Sequence, residues 1–382
     1  MADRHEQTGL LLGAGASYEA GMPLVKELTD ELKGWLTADQ LRRLNEGWKS
    51  QGTGYADEVV EDFASVLSRD EMHYESLLGH LQVQSNRNPM LRQDYLGLYS
   101  VLVEIIYHLL RLRHENNIAL IEGNLHVLEG MARLSDTNNP LWIFSLNHDM
   151  LVECVAMKYG IPVHSGFASG EIALPRRDFQ GARIGELTAE TITETDLASG
   201  MAFPQRQRGF NLLKFHGSLD VFGYEDGKNF ARLLPWEKSV EGIINMLRVA
   251  QEELIFVDPQ RVGPVKTTNE ITFADHNGVM QFLRRSLVTG TYKFDRRHSQ
   301  VLGTAFLREF ESNLNQITHL LCIGYGFGDL HVNDALRKWL ERSATRRMTI
   351  VAPGASLPSF LLHMTPEVSV VSKIASEYLG AC

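Results

Sequence analysis

Four short clusters hold the side chains best able to do chemistry. The first is Gly13-Ala14-Gly15-Ala16-Ser17, directly after the apolar run Gly9 to Leu12. Glycines let a backbone approach a phosphate closely, and a following helix N-terminus offers N–H groups to a pyrophosphate. The same residues also suit a plain tight turn. The second cluster, Asn147-His148-Asp149, ends the apolar stretch Leu141 to Leu146. Its Asn147 and Asp149 can position a polar ligand or simply cap the helix that begins near Met150. His216-Gly217-Ser218 closes the run Asn211 to Phe215 and supplies a candidate acid–base group, since an imidazole titrates near neutrality. A purely structural His216 is the competing reading. The fourth cluster, Gly324-Tyr325-Gly326-Phe327-Gly328-Asp329-Leu330-His331, follows Thr318 to Ile323. Here Asp329 suits a helix N-cap, and His331 and Asn333 read as exposed first-turn residues.

All four clusters follow apolar runs that read as buried strands, and open α/β sheets bind ligands at the carboxyl ends of their strands. Strands at 9–12, 141–147, 211–215, 318–323, 348–352 and 368–371 alternate with helical patterns at 17–36, 150–159 and 332–341. The fold class is therefore α/β, a Rossmann-like, doubly wound, mostly parallel sheet with a helical insertion or second lobe. Residues 1–35 plus 136–382 form the nucleotide-binding-type domain, and 36–135 form the helical insertion. Within the former, 165–208 reads as an irregular insertion or lid. The segment 220–300 reads as a small second lobe with a strand at 254–257. The glycine loop departs from the dinucleotide fingerprint, because Tyr18 stands at the third glycine position and no acidic strand end follows about 20 residues later. An ordinary dehydrogenase is disfavoured.

At 382 residues, with 44% hydrophobic and 22% charged, the chain is long enough for two or three packed units and is neither disordered nor fibrous. Its 37 basic and 47 acidic residues give a net charge of −10, which repels duplex DNA as a direct ligand. The three cysteines, Cys154, Cys322 and Cys382, are odd in number and far apart, as expected in a reducing cytoplasm. They cannot build a four-cysteine zinc ribbon, so no metal is expected. The apolar stretch Leu96 to Leu112 is broken by Glu104, His108 and Arg111, and the polar first residues lack a leader's apolar core. A cytoplasmic, non-membrane protein is expected.

Taken together, Gly13-Ala-Gly-Ala-Ser17 with Gly21-Met22-Pro23, Asn147-x-Asp149, Phe215-His216-Gly217 and Gly324-Tyr-Gly-Phe-Gly-Asp329 resemble the sirtuin superfamily, in the same order and across nearly the whole chain. The late motif, Gly324 to Asn333, is similar to that of the sirtuin-like branch in bacterial antiphage defence. This resemblance implies NAD+ as substrate, with Gly13, Ala14, Gly15 and Ser17 near its phosphates. It further implies Asn147 and Asp149 at the nicotinamide ribose and carboxamide, with His216 acting on the ribose hydroxyls. Gly324 and Gly326 would lie by the adenosine half, and Tyr325 and Asp329 join the NAD-binding set. Two departures matter: Leu24-Val25-Lys26 replaces the Asp-Phe-Arg of deacetylating relatives, and the zinc ribbon is missing. Water then becomes the default acceptor, which implies an NAD+ glycohydrolase acting as a toxic defence effector. By the same resemblance its partner is a HerA-like ATPase or helicase. The helical insertion is where self-assembly into a homo-oligomer is expected, an intramolecular helical lobe being the alternative. The alternatives are a deacylase or ADP-ribosyltransferase, or a non-catalytic subunit that binds NAD or ADP-ribose.

Overall fold

The computed structural model describes residues 7–135, 139–260, 263–287, 303–364 and 367–381. Cys382, the first six residues and part of the 220–300 segment lie outside them. The chain enters through β1 (Thr8–Leu12), then a single helical turn, α1 (Ala14–Ser17). A long α-helix from Ser17 does not form. A 3-10 turn at Tyr18–Ala20 ends at Gly21, whose φ of 96° no branched residue would adopt at low cost, and Pro23 follows.

From there the chain is helical as far as Leu134: α2 (Val25–Trp35), α3 (Ala38–Ser50), α4 (Asp57–Leu67), α5 (Tyr74–Arg87), α6 (Arg92–Asn116), α7 (Ile118–Asn124) and α8 (Gly130–Leu134). Because α2 packs on α5 and α6, the helical lobe opens at Val25, ahead of the expected residue 36. With its leading turn, α6 is the one helix among the described residues long and apolar enough to cross a membrane, yet half of that window is buried inside the protein. Its Glu104 pairs with Arg285 and its Arg111 with Glu115, as in a core helix of a folded lobe.

The chain then runs through β2 (Leu141–Ser145), α9 (Leu151–Lys158), β3 (Val163–His164), β4 (Gly170–Arg177), β5 (Arg183–Ile192), α10 (Glu194–Ser199), β6 (Phe210–Lys214), β7 (Val221–Tyr224), β8 (Asn229–Leu234), α11 (Val240–Glu253), β9 (Glu270–Ala274) and β10 (Met280–Arg285). It closes with α12 (Gly303–Asn313), β11 (His319–Ile323), α13 (Leu330–Glu341), β12 (Arg347–Val351), β13 (Val368–Val371) and α14 (Ala375–Leu379).

Seven strands form an all-parallel sheet in the order β13-β12-β11-β1-β2-β6-β3, with helices on both faces. Side chains alternate between those faces: Leu10, Leu12, Ile143 and Leu212 enter one apolar cluster, while Leu11, Trp142, Phe144 and Leu213 enter the other. Burial on both sides explains why these strands read as continuous apolar runs. The second sheet is antiparallel, β4-β5-β8-β7-β10-β9. It overturns the reading of 165–208 as irregular, because β4 and β5 pair as a hairpin along eight- and ten-residue strands. The strand expected at 254–257 reduces to one isolated bridge between Val257 and Pro264.

Candidate active site

Register sets the site. Leu12 of β1 lies opposite Ser145 of β2 and Ile323 of β11, and Ser145 lies opposite Lys214 of β6. Four strands therefore end at one level, and the four clusters leave the sheet side by side. The order also reverses at β1: the chain builds outward through β2 on one side and returns through β11 on the other. Such a switch point leaves a crevice between diverging loops. A cavity of about 340 Å³ occupies it, lined by Gly13, Ala14, Ser17, Asn147, Asp149, His216, Gly324, Tyr325, Gly326 and Asp329.

Gly15, expected beside a ligand, does not line it. A Cβ there would sit 2.8 Å from the Gly324 Cα, and its N–H already donates to the Gly324 carbonyl at 3.0 Å. Gly13 and Gly324 are equally tight, since a Cβ on Gly13 would meet the Gly324 oxygen at 2.6 Å and one on Gly324 the Ala16 nitrogen at 2.2 Å. These glycines let two backbone loops touch, which is a reason for glycine that needs no phosphate. Gly326 differs, for a Cβ there meets nothing within 4 Å.

His216 is held by its neighbours. Phe215, fully buried, stacks on Phe310 with ring centroids 4.4 Å apart, and this fixes the backbone just before the histidine. The His216 Nε2 lies 3.2 Å from Asp329 Oδ2, and both side chains are 6% exposed. Asp329 uses its other oxygen as the N-cap of α13, accepting from the N–H groups of His331 (2.9 Å) and Val332 (3.3 Å). The cap thus places a carboxylate beside the imidazole, an arrangement suited to orienting the ring. Asp329 belongs with His216, a placing different from that of a ligand-binding residue on its own.

The loop carrying Asp329 is braced. Phe327 has φ 56°, an uncommon conformation for a non-glycine residue, and Asn333 Nδ2 donates to its carbonyl at 2.8 Å. The Tyr325 hydroxyl donates to Asn333 Oδ1 at 3.0 Å, and burial, with the Asp329 charge beside it, pushes that phenol up. Asn333 is thus a buried clamp, which corrects its reading as an exposed residue; His331 is exposed as expected.

Asn147 Nδ2 donates to the Gly13 carbonyl and to Ser17 Oγ, both at 2.9 Å. Since a carbonyl only accepts, this contact fixes which end of the amide is nitrogen. Asp149 lines the cavity while its Oδ1 accepts from the Leu151 N–H at 3.1 Å, so it also serves the start of α9. Lys214 donates to the Asp149 carbonyl and pairs with Glu153, binding the end of β6 to this loop.

Four lining residues with polar side chains were not singled out as site residues from the sequence: His148, His73, Tyr74 and Glu75. His148 sits inside a recognised cluster, whereas the other three start α5 in the helical lobe and carry no motif. Among the described residues that line it there is no Lys or Arg; its polar lining comprises backbone, imidazole, amide, hydroxyl and carboxylate groups. Cys322, buried beneath, has its thiol pushed up by burial and offers no thiolate. No protein-family model matches this chain, and no curated protein matches it.

Proposed function

We propose that this chain is an NAD+ glycohydrolase, which hydrolyses NAD+ to nicotinamide and ADP-ribose. The observation that carries the reading is the His216–Asp329 pair, 3.2 Å apart and nearly buried, in a switch-point cavity that also holds Asn147. The motif resemblance to sirtuins supplies the substrate. In the reaction the bond between ribose C1′ and the nicotinamide nitrogen breaks, and its electron pair leaves with nicotinamide, which becomes neutral. A water oxygen bonds to C1′, and one of its protons passes to His216 and then to solvent. The oxocarbenium-like state between these events needs positioning and electrostatic support more than a strong nucleophile. Asp329 holds the imidazole and balances its charge after proton uptake. Asn147, its nitrogen committed to the glycine loop, presents Oδ1 to the substrate's carboxamide or ribose donors.

The role as a defence effector, acting in the cytoplasm as a homo-oligomer with a HerA-like ATPase, rests on the resemblance alone. One experiment addresses both levels. Nicotinamide release is measured for the purified wild-type chain, Asn147→Ala and His216→Ala, without acylated peptide, with and without a co-expressed HerA-like ATPase. Peptide-free release by the wild type, lost in both variants, is the expected result, and stimulation by the ATPase would identify the partner. Retained binding without release under any condition would replace this reading with the non-catalytic one.

A further inference from the structure

A second cavity, of about 470 Å³, lies between α9, β8 and α11. Its walls are apolar, with Met157 on α9, Ile161 after it, Leu233 on β8, and Ile243 and Met246 on α11. One end is charged. There Glu153, only 5% exposed, places Oε1 3.2 Å from Lys214 Nζ, while its Oε2 has no hydrogen-bond partner among the described residues. Arg232 is shared among Asp220 at 3.0 Å, Glu190 at 3.5 Å and Glu153 Oε1 at 3.9 Å. Ser218 also donates to Asp220.

The charges do not balance. Three carboxylates, the buried Glu153 and Asp220 and the part-exposed Glu190, face two cations, Lys214 and Arg232, so with all of them ionised the cluster is one positive charge short. Lys238 also lines the cavity, but it is exposed and hydrated and does not compensate a buried oxygen. A buried carboxylate oxygen without a donor is costly unless the group takes up a proton or gains a cation. Burial accordingly pushes the Glu153 carboxyl up. A cationic N–H donor would supply both missing things at once, and the apolar walls would cover the remainder of its carrier.

We infer that this cavity binds a small organic monocation with an apolar body, whose ammonium N–H donates to Glu153 Oε2. Lys214 bonds Glu153 on one side and the Asp149 carbonyl on the other, so this site shares a side chain with the loop of the first cavity. The inference stands independently of the NAD+ reading, because nothing in it uses that cavity's chemistry.

Calorimetric titration of the full chain with phenethylamine, beside its neutral counterpart 2-phenylethanol, tests it. The amine should bind about tenfold or more tightly than the alcohol. Its affinity should rise with pH as Glu153 gives up its proton, with a binding heat that changes with the buffer's ionisation heat. Glu153→Gln should remove the amine's advantage and its pH dependence and leave the alcohol's affinity unchanged. Leu234→Trp, at a partly exposed position of the same wall, should fill the cavity and abolish amine binding at an unaltered melting temperature. This second variant keeps the test open if Glu153→Gln does not fold. Equal affinity for amine and alcohol, amine binding that survives both substitutions, or no amine binding at millimolar concentration would each overturn the proposal.

Discussion

Asp329 does two things with two oxygens, and a substitution can separate them. Asparagine caps a helix about as well as aspartate but carries no charge, so Asp329→Asn keeps α13 and removes the group that holds His216. Under the proposed reaction its rate of nicotinamide release should fall by roughly 10²–10⁴, the usual contribution of a positioned acid–base group, with little change in melting temperature. Asp329→Ala should lose the rate and in addition about 0.5–2 kcal/mol of stability, because the cap goes too. A full-rate Asp329→Asn would show the pair to be structural. At this scale the sequence was legible where residue type and strand end coincided: every candidate except Gly15 lines the cavity. Partnership was not legible. Nothing in the spacing of residues 216 and 329 says that one aims the other, and Gly15 looked like a ligand contact because close approach of another backbone calls for the same residue as close approach of a phosphate.

Among the elements, α6 and the loop before α9 meet at His114. This fully buried residue of α6 donates from Nδ1 to the Leu110 carbonyl at 2.7 Å and accepts at Nε2 from the Met150 N–H at 3.1 Å, so it is neutral in the fold. Burial holds its pKa below the ordinary value of 6.5, against the opposing pull of Asp149. The linkage sign follows: with the folded pKa depressed, the unfolded chain takes up a proton first as pH falls through 6.5, and the fold loses stability from there downward. Glu153 works in the opposite direction, since its raised pKa contributes stability that is present at low pH and lost as pH rises. Comparison with His114→Gln isolates the histidine, because Gln retains one donor and one acceptor. The wild type should lose melting temperature more steeply than the variant on acidification from pH 6.5, and parallel curves would show that His114 carries no such linkage. The helical character of this lobe was legible from its apolar periodicity. Its share in the cavity was not, because His73, Tyr74 and Glu75 sit at a helix start distant in sequence from every motif.

On the scale of the whole molecule, the sheet that could be read and the sheet that could not differ in how they are buried. Strands of the parallel sheet are covered on both faces and are written as apolar runs, whereas β5 alternates, with Leu187, Ala189 and Thr191 inward and polar residues between them. Alanine and threonine carry too little hydrophobic contrast to announce a strand. A buried arginine is among the side chains that join the antiparallel sheet to the helical lobe. Arg285 of β10, fully buried, pairs with Glu104 of α6 at 3.3 Å, donates to Gln251 of α11 at 2.8 Å and lies 4.6 Å from the Tyr107 ring centroid. Burial pushes the Glu104 carboxyl up, but His108, Arg285 and the Asn269 N–H outweigh it, so the group is held low and charged. Arg285→Ala would remove one of the partners of that charge and leave a cavity beside Tyr107, and should cost about 2–4 kcal/mol, whereas Arg285→Met with Glu104→Gln should cost less than the sum of the single changes. Because this contact joins β10, α6 and α11, denaturant unfolding of the wild type should remain one transition by far-ultraviolet dichroism and by tryptophan fluorescence. Separate transitions by the two probes would mean that the lobes unfold independently and that Arg285 decorates a boundary it does not hold.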